Sequence, residues 1–74
     1  MLKFDYSKLQ GRIKEVCGTQ AVFALEMRLS ERTISLKLNG VNDWRQGEIE
    51  RACKVLNISP KEISSYFFTL KVQN

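Results

Sequence analysis

Histidine is absent from this chain, proline occurs once and cysteine only twice. The first absence removes the commonest general base and the commonest metal ligand. Two distant cysteines, Cys17 and Cys53, make no zinc site, because structural zinc takes four Cys or His ligands. The four glycines lack the spacing of a phosphate-cradling loop, and no nucleophile elbow is present. An enzyme is therefore not expected, and no metal or cofactor is implied. No apolar run approaches the roughly 20 residues of a membrane-spanning helix. Met1-Leu2-Lys3 does not open a signal peptide, so no membrane partner is expected. Both cysteines fall on the apolar side of helical patterns and read as buried free thiols, in keeping with a reducing cytoplasm.

What is present suits one small domain spanning all 74 residues, with an ordinary apolar share of 43%. Twelve Lys and Arg against eight Asp and Glu give a net charge of +4. That balance is compatible with a polyanion partner without demanding one, and no block of like charge marks a basic arm.

Helical periods dominate. Ser7 is placed to cap a first helix over residues 8–16, with Leu9, Ile13 and Val16 on one stripe. Gly11, inside it, reads as a point of close packing, and Gly18 ends it. The stretch 19–40, TQAVFALEMRLSERTISLKLNG, then reads as two short helices joined by a tight turn. Thr19 and Ser30 are the N-caps, Phe23, Ala24 and Met27 form one apolar side, and Ile34 and Leu38 form the other. Leu29 fills the gap between them, Ala24 allows a close crossing, and Gly40 stops the second helix. This is the outline of a helix-turn-helix. Beyond it, Asp43 is a candidate cap for a helix over 44–56 carrying Ile49, Ala52, Cys53 and Leu56, with Trp44 in the core. Ser59-Pro60 with Glu62 starts a fifth helix that sends Ile63 and Phe67 inward. The tail alternates Phe68, Leu70 and Val72 with Thr69, Lys71 and Gln73. The opening residues 2–6 alternate likewise. Both are weak strand signals, and the tail is free to pair with the opening of its own chain or of a second copy.

Gln20, Phe23-Ala24, Leu29-Ser30, Thr33-Ile34-Ser35 and Asn39-Gly40 stand in the order found in a known group. On these residues the chain resembles the helix-turn-helix domains of temperate-phage repressors and Cro-type regulators, within the xenobiotic-response-element-like group. A wider frame is similar to a small phage-regulator subfamily: Phe4-Asp5-Tyr6, Gly11-Arg12-Ile13, Gly18-Thr19-Gln20, SERTISLKLNG, Trp44, Glu48-Ile49 and Tyr66-Phe67-Phe68. The resemblance implies an all-α, mostly helical, five-helix lambda-repressor-like DNA-binding domain with short terminal β-strands. Its motif would lie at 20–39 and its recognition helix at about 30–39. It departs from the group at Arg28, where glycine is common because the turn favours positive φ. Some Cro-type proteins dimerise through a C-terminal strand, which makes a homodimer one implied assembly.

The expected function is that of a phage or prophage transcription regulator in the host cytoplasm. It would bind double-stranded operator DNA through the second motif helix and act in the lysis–lysogeny switch. On the face opposite Ile34 and Leu38, Arg32 is the candidate for bidentate contact with guanine. Ser30 and Glu31 stand at the helix start, where a recognition helix meets base edges. Ser35, Leu36 and Asn39 complete the face. Gln20 is placed to anchor a phosphate at the preceding helix N-terminus, with Lys37 and Arg45 as flanking phosphate contacts. Three residues favour a different partner. Val22 and Leu25 lie one turn apart outside the apolar stripe, and Leu36 adds an apolar side chain to a face meant for DNA. Together they suit an antirepressor that binds a phage repressor and masks its reading head.

Overall fold

The computed structural model describes residues 4–71. Five α-helices follow one another: α1 (Ser7–Cys17), α2 (Gln20–Met27), α3 (Glu31–Leu38), α4 (Gln46–Leu56) and α5 (Ile63–Phe67), the last preceded by a 3₁₀ turn, Pro60–Glu62. The architecture is all-α, as expected. Helix α2 is central and packs against α1, α3 and α4, while α1 also meets α4 and α5. The core gathers Leu9 and Ile13 from α1, Phe23, Ala24 and Met27 from α2, and Ile34 and Leu38 from α3. Ala52 and Leu56 of α4, Ile58 and Phe67 complete it, with Tyr6 and Tyr66 at its edge. Each large apolar side chain fully buried there contributes about 1.5–3 kcal/mol.

Local chemistry sets the helix ends. Gly18 at φ 84° and Gly40 at φ 76° take the positive φ, open to glycine, at which α1 and α3 end. After Gly40 the Leu36 carbonyl accepts from the Val41 amide at 2.9 Å, the wrapped contact of a Schellman ending. Ser59 and Glu62 form the expected capping box ahead of the last helix.

Several expectations are corrected. Helix α1 begins at Ser7 itself, and the acceptor that caps it is Asp5, which takes the Ser7 amide at 2.8 Å. Val16 leaves the Leu9–Ile13 stripe and is 45% exposed, because α1 ends one residue later and turns away. Gly11 meets no neighbour within 4 Å of where its Cβ would stand, so it permits no close packing. Helix α4 starts at Gln46 rather than Trp44. Its first-turn partner is Glu48, whose carboxylate accepts the Arg45 amide at 2.8 Å, while the Asp43 side chain caps nothing. Trp44 packs edge-on against Phe67, with ring centroids 5.3 Å apart, yet is half-buried and its indole N–H has no partner among the described residues. The cysteines are free thiols, half-buried rather than fully buried. The terminal strands reduce, among the described residues, to one antiparallel bridge between Phe4 and Leu70, with the Asp5 amide donating to the Thr69 carbonyl at 2.7 Å. Leu2, Lys3 and Val72, which the strand expectation included, lie outside the described residues.

Candidate functional site

Helices α2 and α3 and the three residues between them form the motif read from the sequence. The Thr19 hydroxyl accepts the Val22 amide at 3.1 Å and the Ser30 hydroxyl accepts the Thr33 amide at 3.0 Å, so each helix opens with the expected cap. Arg28 adopts φ 60°, ψ 37°, the left-handed conformation the turn requires. From α4, the Arg51 guanidinium donates to the carbonyl of Met27, the last residue of α2, at 3.1 Å. Leu29 is half-buried against the core and closes the gap between the two helices.

The outer surface of this unit holds most of the sequence-predicted residues. Gln20 is exposed at the first position of α2, and Glu31 and Arg32 are exposed in the first turn of α3. Asn39 is exposed at the α3 C-terminus, and its amide donates to the Ser35 hydroxyl at 3.3 Å. Ser35 and Leu36 are half-buried, so they offer less to a ligand than the helical wheel suggested. The Ser30 hydroxyl is occupied by capping and by a 2.8 Å contact with the Thr33 hydroxyl. Arg45 is exposed at the head of α4.

Lys37 is the clear correction. Its side chain points inward rather than toward a phosphate, and the residue is 5% exposed. Its ammonium lies 2.8 Å from Glu48 Oε1 and donates to the Asp43 carbonyl at 2.8 Å. Burial pushes the Glu48 carboxyl up. The Lys37 hydrogen bond, the Arg45 amide and the charges of both cations outweigh this and hold it below its ordinary value.

Of the three apolar candidates, Val22 and Leu25 face solvent and Leu36 is half-buried. Val22 is 41% and Leu25 77% exposed, one turn apart on α2. Sequence reasoning missed Val41, 67% exposed just beyond α3. Its signal was available, as an apolar residue directly after the helix-stopping Gly40 in an otherwise polar loop. Four exposed charges complete the surface. Glu26 and Glu31 balance Arg28 and Arg32, and none of the four joins a salt bridge among the described residues.

A separate open groove of about 620 Å³ lies along α4 and the final turn, lined by Ile49, Cys53, Ile58, Ile63 and Phe68. It includes no residue of the motif. Desolvation raises the Cys53 thiol above its ordinary value. Among the described residues no group of three or more Cys, Asp or Glu could hold a metal ion, and no helix is long and apolar enough to cross a membrane.

Fold and surface together define a small all-α domain in which two short helices are joined by a three-residue turn, with a charge-balanced, partly apolar outer face. The chain belongs to the family described as Protein of unknown function (DUF739), whose model matches residues 2–70. Among solved structures it is similar to the modulator of repression (MOR) of the temperate bacteriophage TP901-1 from Lactococcus lactis. The identity is 53%, the match covers 89% of each chain, and the TM-score is 0.79. A comparison with curated proteins found no match.

Proposed function

We propose that this protein is a phage antirepressor: it binds the DNA-binding domain of a phage repressor and masks the head that reads the operator. The observation that carries this reading is the outer surface of α2 and α3. Val22 and Leu25 stand in solvent side by side, the exposed charges around them cancel, and Lys37 is withdrawn into the interior. Binding to a duplex draws on a surplus of Lys and Arg against phosphates, whereas an apolar centre within mixed charge suits a protein partner. The likeness to a modulator of repression of a temperate phage supports a part in phage repression, and on this reading the protein acts in the lysis–lysogeny switch in the host cytoplasm. The role is one of binding, without catalysis.

Isothermal titration against the DNA-binding domain of a lysogenic repressor from the same phage or prophage tests the reading. Leu25 is so exposed that Leu25→Asp leaves the fold within about 0.5 kcal/mol of the parent. If Leu25 is a central contact, the variant loses about 1–3 kcal/mol of binding, a 5- to 150-fold weaker Kd. Parent-like affinity in both Leu25→Asp and Val22→Asp removes the proposal.

A second reading, operator binding through α3, is favoured by Arg32, which is exposed in the first turn of that helix and joins no salt bridge among the described residues. Under it, Arg32→Ala costs about 1–3 kcal/mol and relaxes one base preference. Uniform binding of every duplex by parent and variant alike would exclude base reading by Arg32.

A further inference from the structure

Lys37 is the one buried charged residue among those described, and lysine is rarely buried unless its ammonium is matched. Here the match is directed at a single segment. From α3 the ammonium reaches the Asp43 carbonyl at 2.8 Å and lies 5.9 Å from the centre of the Trp44 ring. From α4 the Glu48 oxygen that pairs with it also accepts the Arg45 amide at 2.8 Å. The far end of the same connection is tied to α3, where the Leu36 carbonyl accepts the amides of Val41 at 2.9 Å and Asn42 at 3.3 Å. Residues 41–45 are thus fastened at both ends, and the large apolar side chain they present to solvent is Val41.

A buried ion pair contributes little net stability, because desolvation of the two charges offsets their attraction. What it supplies, and an apolar pair cannot, is directed hydrogen bonding to particular backbone groups. A docking loop already held in one conformation loses less entropy on binding.

We infer that the Lys37–Glu48 pair is a positioning device, holding residues 41–45, which follow α3 directly, in one conformation for the repressor, with Val41 as their contact residue. The inference rests on the antirepressor reading and adds to it a loop and two residues outside the docking role described so far. Lys37 and Glu48 act through the loop and do not touch the partner. Val41 touches it.

The test uses the parent, the Lys37→Met/Glu48→Gln double variant and Val41→Asp. Amide hydrogen exchange of residues 41–45 is followed by NMR without any partner, and titration with the repressor DNA-binding domain follows. The double variant is expected to keep the parent far-ultraviolet circular dichroism, to exchange its loop amides faster, and to bind about tenfold or more weakly. Val41→Asp is expected to show the same loss of affinity with parent-like loop exchange. If the double variant does not fold, Lys37→Gln/Glu48→Gln replaces it, since the two amides can satisfy each other while the shorter side chain at 37 loses the ammonium's reach to the Asp43 carbonyl. Parent-like loop exchange in the variant that lacks the ion pair overturns the positioning role. Parent-like affinity in Val41→Asp overturns the contact role. A parent protein that binds no repressor domain overturns the antirepressor reading and Val41's contact role with it. That failure is told apart from the others because loop exchange is read with the protein alone.

Discussion

Replacing Gly11 by alanine should make this protein more stable. Gly11 sits inside α1, is exposed, and has an ordinary helical backbone. A Cβ built on it meets no heavy atom within 4 Å, so the added methyl neither clashes nor fills a void. What remains is the intrinsic difference between the two residues in a helix interior, about 0.8–1 kcal/mol in favour of alanine. Part of it arises because alanine leaves the unfolded chain fewer conformations to lose. Helix ends and neighbours moderate such effects, so a gain of about 0.5–1 kcal/mol is expected. In a domain of this length 1 kcal/mol moves the melting temperature by about 4–8 °C, so Gly11→Ala should raise it by about 2–8 °C. Thermal melting followed by circular dichroism at 222 nm measures this directly. Gly40→Ala is the matched control. Its site is equally open but lies at φ 76°, where a Cβ is strained, and it should lower stability by about 1 kcal/mol. A Gly11→Ala melting temperature equal to or below that of the parent would refute the reasoning, because it would mean that this face of α1 is packed against something.

Two further outcomes follow from the charged contacts. Glu48 has a folded-state pKa below its unfolded value, so its share of stability is present above the ordinary glutamate range and is lost as pH falls through the lowered folded value. The difference in unfolding free energy between parent and Glu48→Gln should therefore shrink on acidification through that window, and a constant gap from neutral pH to below it would contradict the assignment. Arg51→Met keeps the aliphatic stem but removes the donor to the Met27 carbonyl. Charged hydrogen bonds are worth about 1.5–3 kcal/mol, and the exposure of this arginine reduces the expected loss to about 1 kcal/mol, read as a lower urea midpoint.

Local signals were legible in the sequence, and three-dimensional ones were not. Thr19, Ser30 and the Ser59–Glu62 box act within a few residues of themselves, so spacing alone placed them. The left-handed turn at Arg28 was expected only through the resemblance, in which glycine is common there, and the arginine itself gave no sign of it. Lys37 was misread because its position on the helix says nothing of where a four-carbon stem carries the ammonium. Its partners come from a different helix and from a backbone carbonyl. Asp43 carried the composition of an N-cap, but the helix begins later because Glu48 serves the Arg45 amide instead. The alternation at 68–73 predicted a strand, yet a pattern cannot say how many partners it will meet, and the described part meets one. For the site, net charge decided little. The surplus of +4 is compatible with a polyanion without demanding one, and it does not say where the charges lie: the outer surface of α2 and α3 carries equal numbers of exposed positive and negative groups.

The arginines that reach across the core bear on how the molecule comes apart. Arg12 of α1 donates to the carbonyl of Leu56 at the end of α4, and Arg51 of α4 donates to that of Met27 at the end of α2. Each helix end is thereby held by a side chain rooted in a different helix. Segments of eight to eleven residues do not persist as isolated helices in water. Fraying of α2 or α4 at its C-terminus therefore releases a hydrogen bond that helps anchor a neighbour, and loss of α1 or α4 strips the cap from another. The helices are latched in series, so the chain has little scope to shed one helix at a time, and melting of one draws in the rest.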